Sequence, residues 1–265
     1  MEIKGLQTNF AKKIITLFCI TLLTLVILCM ACGAFAQNSV YIGPYLGIGN
    51  QQSYNANFYN DPSVKVSKIP GASFGASLED SMTSNFTLGI GLGYSNFSTE
   101  ATYNVKTTEE GTLTGTYYNN FGYLSAPISF IVKSKTKSYN TIGFYGELQL
   151  IPSLNTSAVQ KQTADGLPES LTSIKDQTHT LNLMVGAAGG IFIPMNNMII
   201  RIGPYYTTSL VDIQKAYPDY ITFSGKTETY TPTMLHAIGA NITIAIKINS
   251  SKSFQPPVAS TSAPK

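Results

Sequence analysis

Hydrophobic and polar residues alternate with a period of two in eight segments of the chain, the spacing at which successive side chains of an extended strand face opposite ways. From Ser39 to Ile48, Val40, Ile42, Leu46 and Ile48 alternate with Tyr41, Gly43, Tyr45 and Gly47. From Gly71 to Glu79, Ala72, Phe74, Ala76 and Leu78 oppose Gly71, Ser73, Gly75, Ser77 and Glu79. The third segment is the clearest, with Phe86, Leu88, Ile90, Leu92 and Tyr94 set against Thr87, Gly89, Gly91, Gly93 and Ser95. In the fourth, Leu124, Ala126, Ile128, Phe130 and Val132 share a face. The fifth sets Ile142, Phe144, Leu148 and Leu150 against Gly143, Tyr145, Glu147 and Gln149. The sixth, Thr180 to Ile193, carries Leu181, Leu183, Val185, Ile191 and Ile193 on one parity. The seventh, from Met198 to Leu210, opposes Met198, Ile200 and Ile202 to Arg201, Gly203, Tyr205 and Thr207. The eighth alternates Ile238, Ala240, Ile242, Ile244, Ile246 and Ile248 with Gly239, Asn241, Thr243, Ala245 and Lys247. No segment keeps a helical period.

The connectors alternate long and short. Gly49 to Pro70, Asn96 to Gly122, Pro152 to Gln177 and Val211 to Met234 are long, whereas Asp80 to Asn85, Ser134 to Ser138 and Pro194 to Asn197 are short. Segments of about ten alternating residues with this asymmetry predict an all-β fold, an eight-stranded antiparallel up-and-down transmembrane β-barrel. Short turns then lie in the periplasm with both termini, and long loops outside the cell. Alternation within the long connectors, at Ala101 to Lys106 and Thr112 to Tyr118, extends the third and fourth strands beyond the membrane.

The ends of the chain differ from this pattern. Lys4, Lys12 and Lys13 precede an uncharged stretch from Ile14 to Ala36 that closes on Ala34-Phe35-Ala36. Residues 1–36 read as a secretory signal peptide. A retained membrane anchor would share the apolar run, but not the small-x-small triplet at its end. Residues 37–248 form the barrel, and 249–265, with Pro256, Pro257, Pro264 and five serines, read as a disordered tail. Cleavage removes all three cysteines, so no disulfide framework or thiolate metal site is expected. It also removes Glu2, leaving 14 basic and 13 acidic residues, a balance with no electrostatic footprint for nucleic acid.

The residues resemble the outer-membrane β-barrel domain found in Bacteroidota and often labelled porin-like or PorT-like. The resemblance rests on Tyr123-Leu124-Ser125-Ala126-Pro127-Ile128, on Arg201-Ile202-Gly203-Pro204-Tyr205-Tyr206 and on a final strand rich in Gly and Ile. It spans Ser39 to Ile248 and implies outer-membrane residence against lipid. In one departure, 17 residues follow Ile248, where such chains commonly end soon after the last strand. Ile42-Gly43-Pro44-Tyr45 and Ile202-Gly203-Pro204-Tyr205 echo each other, and in a closed ring of eight both would flank the last strand. Each proline removes a ladder donor, so local irregularity is expected there.

At 12% charged residues the chain carries about half the charge of a typical soluble domain, without a matching excess of apolar residues. Arg201 is the one arginine. Facing lipid near the midplane would cost about 2–4 kcal/mol, so alternation turns it inward. Glu147 is the carboxylate that the pattern sets on the inner face well inside a strand, two ladder spacings or about 10 Å away. A lumenal Glu147–Arg201 ion pair is therefore expected, the alternative being separate solvation or pairing with Tyr145 and Tyr205.

No metal set or cofactor motif emerges. The glycine runs at Gly89 to Gly93 and Gly186 to Gly190 lack the following helix that a phosphate cradle requires. His179 near Asp176 would admit a rim Ser-His-acid site, although an exposed loop histidine accounts for it as well. His236 is expected at the membrane interface. Loop aromatics Tyr54, Phe58 and Tyr59, and Tyr217 and Tyr220, suit contact with an extracellular protein or glycan, or interfacial anchoring. The expectation is a non-enzymatic barrel with a structural or surface-interaction role. Alternatives are a small-solute channel or export accessory, and a secreted lipocalin-like barrel, which would need apolar residues inside.

Overall fold

The computed structural model describes residues 39–55, 61, 63–107, 111–136, 139–164, 169–215, 220–221, 227–228 and 232–248. The expected signal peptide and C-terminal tail lie outside the described residues. In chain order the strands are β1 (Ser39–Asn55), β2 (Val64–Ser67), β3 (Pro70–Ser81), β4 (Phe86–Thr107), β5 (Gly111–Ser125), β6 (Ile128–Lys133) and β7 (Gly143–Ala164). There follow β8 (Ser170–Ser173), a 3-10 turn (Lys175–Gln177), β9 (Leu181–Pro194), β10 (Met198–Ser209), β11 (Tyr220–Ile221), β12 (Thr227–Glu228) and β13 (Thr233–Lys247).

Antiparallel pairing runs from β1 to β3, β4, the β5 and β6 pair, β7, β9, β10 and β13. The last of these pairs back onto β1 along most of its length. β5 and β6 are halves of one wall strand interrupted at Ala126 and Pro127, so the ring has eight members. The ladder continues across the break. The Gly91 amide donates to the Pro127 carbonyl at 2.8 Å, and the Ala126 amide to the Pro152 carbonyl at 2.9 Å.

All eight alternating segments occupy wall strands with the expected parity. Ile42, Leu46, Phe74, Leu92, Phe144, Leu148, Ile202 and Ile238 are exposed on the outside, while Glu79, Thr87, Glu147, Arg201 and Thr243 are buried within. An apolar exterior around a charged interior is the reverse of a lipocalin, so the secreted ligand-carrier alternative is set aside.

In their described parts, the connectors after β4 and β7 are more regular than loops. β4 and β5 stay paired out to Thr107 and Gly111, and β7, like β4, has 22 residues. β2 joins the far part of β4 and β8 the far part of β7, giving a sheet β2–β4–β5–β7–β8 that continues past one side of the ring. A bulge at the Gly122/Tyr123 step marks where β7 enters this extension. At the opposite end the turns are short, and Asn140, at φ 62°, takes the left-handed position in the turn between β6 and β7.

Both Gly-Pro echoes flank β13, and both interrupt a ladder. On β1 the register to β13 skips from Ile42 to Tyr45, and on β10 the register to β9 skips from Ile202 to Tyr205. A Cβ on Gly43 would lie 1.7 Å from the Ile244 carbonyl oxygen, and one on Gly203 1.9 Å from that of Gly189. Proline removes the donor, glycine permits the close backbone approach, and the following Tyr45 or Tyr205 turns into the lumen.

Tyr45 shows what the inward glycines are for. A Cβ on Gly93 would come within 1.9 Å of its hydroxyl oxygen, so the ring needs a neighbour without a side chain. Gly93→Ala should destabilise the barrel by about 1–3 kcal/mol in urea unfolding from lipid vesicles, and Tyr45→Phe should recover part of the loss. Gly146→Ala, whose Cβ meets nothing within 4 Å, should stay within about 0.5 kcal/mol of the parent. Equal losses at both glycines would contradict the packing account.

Candidate functional site

The lumen is filled in layers. Nearest the long-loop end, Phe97, Phe121, Tyr123, Ile151, Met184 and Leu235 form an apolar plug with Phe97 and Tyr123 edge to face at 6.0 Å. Two buried connector residues complete it. Ile174 is held by its amide on the Ala158 carbonyl, and Ile213 by its amide on the Thr233 carbonyl. Beneath the plug, Gln51 donates to the Asn96 carbonyl (2.8 Å) and accepts from the Ser73 amide and the Tyr205 hydroxyl (2.9 Å). One side chain on β1 thus ties to β3, β4 and β10. A cavity of about 70 Å³ lies among Tyr45, Gln51, Gln149, Tyr205 and Asn241.

The charged layer comes next. Arg201 on β10 makes a bidentate pair with Glu79 on β3, Nη1 to Oε2 at 2.7 Å and Nη2 to Oε1 at 2.5 Å. Both residues are 2% exposed. The Ser77 hydroxyl donates to Oε1 of the same carboxylate, and the Tyr145 ring lies under the guanidinium at 5.8 Å. Tyr145 in turn donates to Asn241 on β13 at 3.2 Å. Planar two-point geometry, with the Ser77 hydrogen bond to the carboxylate, is what allows two charges to stay ionised away from water, while the buried Arg201 Nε–H has no hydrogen-bond partner among the described residues.

Glu147 is not the arginine's partner. It shares the lumen but accepts from the Gln149 amide at 2.7 Å, and Gln149 also reaches Ser129. Along the ladder, Arg201 stands level with Gly75 on β3 through Thr243 and Tyr45, four residues from Glu79. In the other direction it stands level with Gly143 on β7 through Phe192, four residues from Glu147. Strand tilt therefore offsets the two carboxylates equally, and ring position decides. β3 is three of eight steps away and faces the arginine across the lumen, whereas β7 is only a quarter turn along the wall. The sequence put Glu79 on the inward parity but beside a short turn; β3 runs on to Ser81, which leaves it inside the strand.

Toward the short turns, Tyr41, Ile131, Tyr145, Phe192 and Ile199 form a second apolar cluster. Beyond it opens a vestibule of about 550 Å³ at the barrel mouth. Lys133, the last residue of β6, is buried at its edge. Gln51 and Lys133 both escaped the sequence reading because each lies just past the end assigned to its strand, although each continues the inward parity.

The expected surface residues are distributed differently from a loop cluster. Tyr54 belongs to β1, which extends to Asn55, and its ring meets His236 edge-on at 5.6 Å. His236 Nδ1 also lies 3.1 Å from the Tyr206 and Thr208 hydroxyls, which makes an aromatic group on the outer face toward the long-loop end. Tyr220 falls in β11, while Phe58, Tyr59 and Tyr217 lie outside the described residues. Asp176 sits in the 3-10 turn, and the His179 amide donates to the Ile213 carbonyl.

Removing one partner of the cross-lumen pair leaves a charge buried. Glu79→Gln and Arg201→Met should each cost about 3–5 kcal/mol of folding stability. The double variant should lose clearly less than the sum, a coupling above about 1 kcal/mol in a double-mutant cycle. Glu147→Gln combined with Arg201→Met should couple more weakly. Stronger coupling through Glu147 would reverse the assignment of the partner.

A family profile described as "Outer membrane protein beta-barrel domain" matches residues 35–215. Among solved structures the chain is similar to Neisserial surface protein A, at 12% identity over 77% of this chain and 96% of that one, with a TM-score of 0.37. It is similar to the outer membrane protein OprG from Pseudomonas aeruginosa, at 9% identity over 80% and 96%, TM-score 0.40. The outer membrane protease OmpT from Escherichia coli is matched at 8% identity over 79% and 95%, TM-score 0.26. A search of the curated proteins returns no match. The profile takes in more than half of the chain, from ahead of β1 to beyond β10, and the chain belongs to the outer membrane protein β-barrel domain family.

Proposed function

We propose that this outer-membrane barrel is a closed, non-enzymatic protein with a structural or surface-interaction role. The observation that carries the reading is the filled lumen. An apolar plug, the Gln51 network, the Arg201–Glu79 pair and a second apolar cluster succeed one another along the axis. Eight strands enclose a space that side chains can fill, and here they do.

The short-turn end faces the periplasm together with both termini, residues 1–36 serve as a cleaved signal peptide, and 249–265 form a periplasmic tail. Strands of 22 residues are about twice as long as a tilted crossing needs, so the β2–β4–β5–β7–β8 sheet stands clear of the lipid on the cell's outside. Its outward face carries Thr102, Thr116, Tyr118 and Asn120 beside Glu100 and Lys161, a near-neutral polar surface suited to a protein or glycan partner. The Tyr123 to Ile128 and Arg201 to Tyr206 motifs support a place among the Bacteroidota porin-like members.

Two measurements test this. The mature protein should migrate differently on SDS gels before and after boiling, because a closed ladder offers no edge at which unfolding can begin. In planar bilayers the purified protein should show no large, stable conductance steps. Reproducible openings that survive in the Glu79→Gln variant would favour the small-solute channel instead.

A further inference from the structure

We infer that the vestibule at the short-turn mouth is a binding site for a small molecule bearing a phosphate or carboxylate group, with Lys133 as its principal anchor. Lys133 is 6% exposed, yet among the described residues it makes no ion pair, and its ammonium has a single hydroxyl neighbour, Ser81 Oγ at 3.4 Å. An ammonium offers three donors and is costly to withdraw from water unless an anion or several acceptors receive it. The nearest lumenal carboxylate, Glu79, has both oxygens committed to Arg201. Asp80 has the opposite strand parity and so leaves the lumen side.

The cavity beside this lysine has the chemistry of an oxyanion site. Among the described residues its lining contains Lys133 and Lys135 and no carboxylate, with hydroxyls from Ser81, Ser84, Ser134 and Thr136. About 550 Å³ lies within the range of small-molecule pockets. Both lysines come from the run Lys133-Ser134-Lys135-Thr136-Lys137-Ser138, an alternation of cation and hydroxyl in a chain that is only 12% charged overall. Lys133 ends β6 on the inward parity, and Lys135 is exposed at the rim. The wall formed by Phe192, Pro194 and Ile199 is apolar, so a ligand pairing its anionic head with a ring or hydrocarbon body fits better than a bare ion.

The test uses the full-length mature protein in nanodiscs, with isothermal titration of inorganic phosphate and of phenyl phosphate. Both should bind saturably, phenyl phosphate several-fold more tightly because it also covers the apolar wall. Lys133→Gln should weaken both by at least tenfold while the boiled and unboiled gel mobilities still differ. Lys135→Glu, at an exposed position that leaves folding intact, should weaken both by a smaller factor that shrinks with added salt. Titrations in neutral phosphatidylcholine discs and in discs containing phosphatidylglycerol separate two sources of the anion. Binding in both supports a soluble ligand, and binding only in neutral discs supports a lipid headgroup already seated there. Absence of saturable binding in neutral discs, or affinities unchanged in both lysine variants, overturns the proposal.

Discussion

Closure of the hydrogen-bonded ring is the constraint on which the rest of the molecule depends. Once β13 pairs with β1, every wall strand has two neighbours and its side chains have only two destinations, the outside or a narrow lumen. In hydrocarbon no water satisfies a free edge, so the ring cannot be left open. Everything charged that the wall strands carry within the hydrocarbon must then be accommodated among their own inward-facing side chains. The outward parity is free to be uniformly apolar, whereas the inward parity becomes a packing problem in which each charge, ring and glycine has to match a neighbour several strands away.

The Arg201–Glu79 pair illustrates how that problem is solved. Replacement of a buried ion pair by apolar residues is often harmless to stability, so the pair alone explains little of why the barrel folds. Its position explains more. It joins two strands that do not touch, three steps apart in the ring, and it is oriented by Ser77 on one side and Tyr145 on the other. Gln51 makes a second link between non-neighbouring strands, reaching Tyr205 past β13. A slip of one residue in β3 or β10 would move a charge to the lipid face, so the pair penalises wrong registers of these strands as well as supporting the correct one.

The sequence reveals the wall because parity is a local property: Gly89, Gly91 and Gly93 against Leu88, Ile90 and Leu92 define a face without knowledge of any neighbour. It reveals the kind of interior for the same reason, since Arg201 must turn inward wherever its partner lies. The partner itself depends on ring position and tilt, which no local pattern encodes. Glu147 and Glu79 share parity and equal offsets, and only closure of the ring brings Glu79 to face the arginine. Strand ends are equally hard to place, because alternation fades where side chains leave the apolar environment. Gln51, Lys133 and the extension of β7 lie past such ends, whereas the extension of β4 and β5 keeps the alternation at Ala101 to Lys106 and Thr112 to Tyr118 that predicts it.

The distribution of rigidity follows from the same geometry. Some lumenal rings sit where glycines yield space, as Tyr45 does over Gly93 and Phe192 over Gly143, so tight packing and sequence simplicity coincide there. Above the plug the connectors are fastened by backbone bonds, with Ile213 receiving from His179 and Lys215 donating to Gln177. Between two apolar clusters the polar middle is confined to a cavity of about 70 Å³, whereas the larger vestibule opens beyond the second cluster. For a solute to cross, the Arg201–Glu79 pair and aromatic residues on both sides of it would have to move together. The vestibule needs no such motion, since it is reached from the mouth without disturbing the ring, and this makes binding there compatible with a barrel that stays closed.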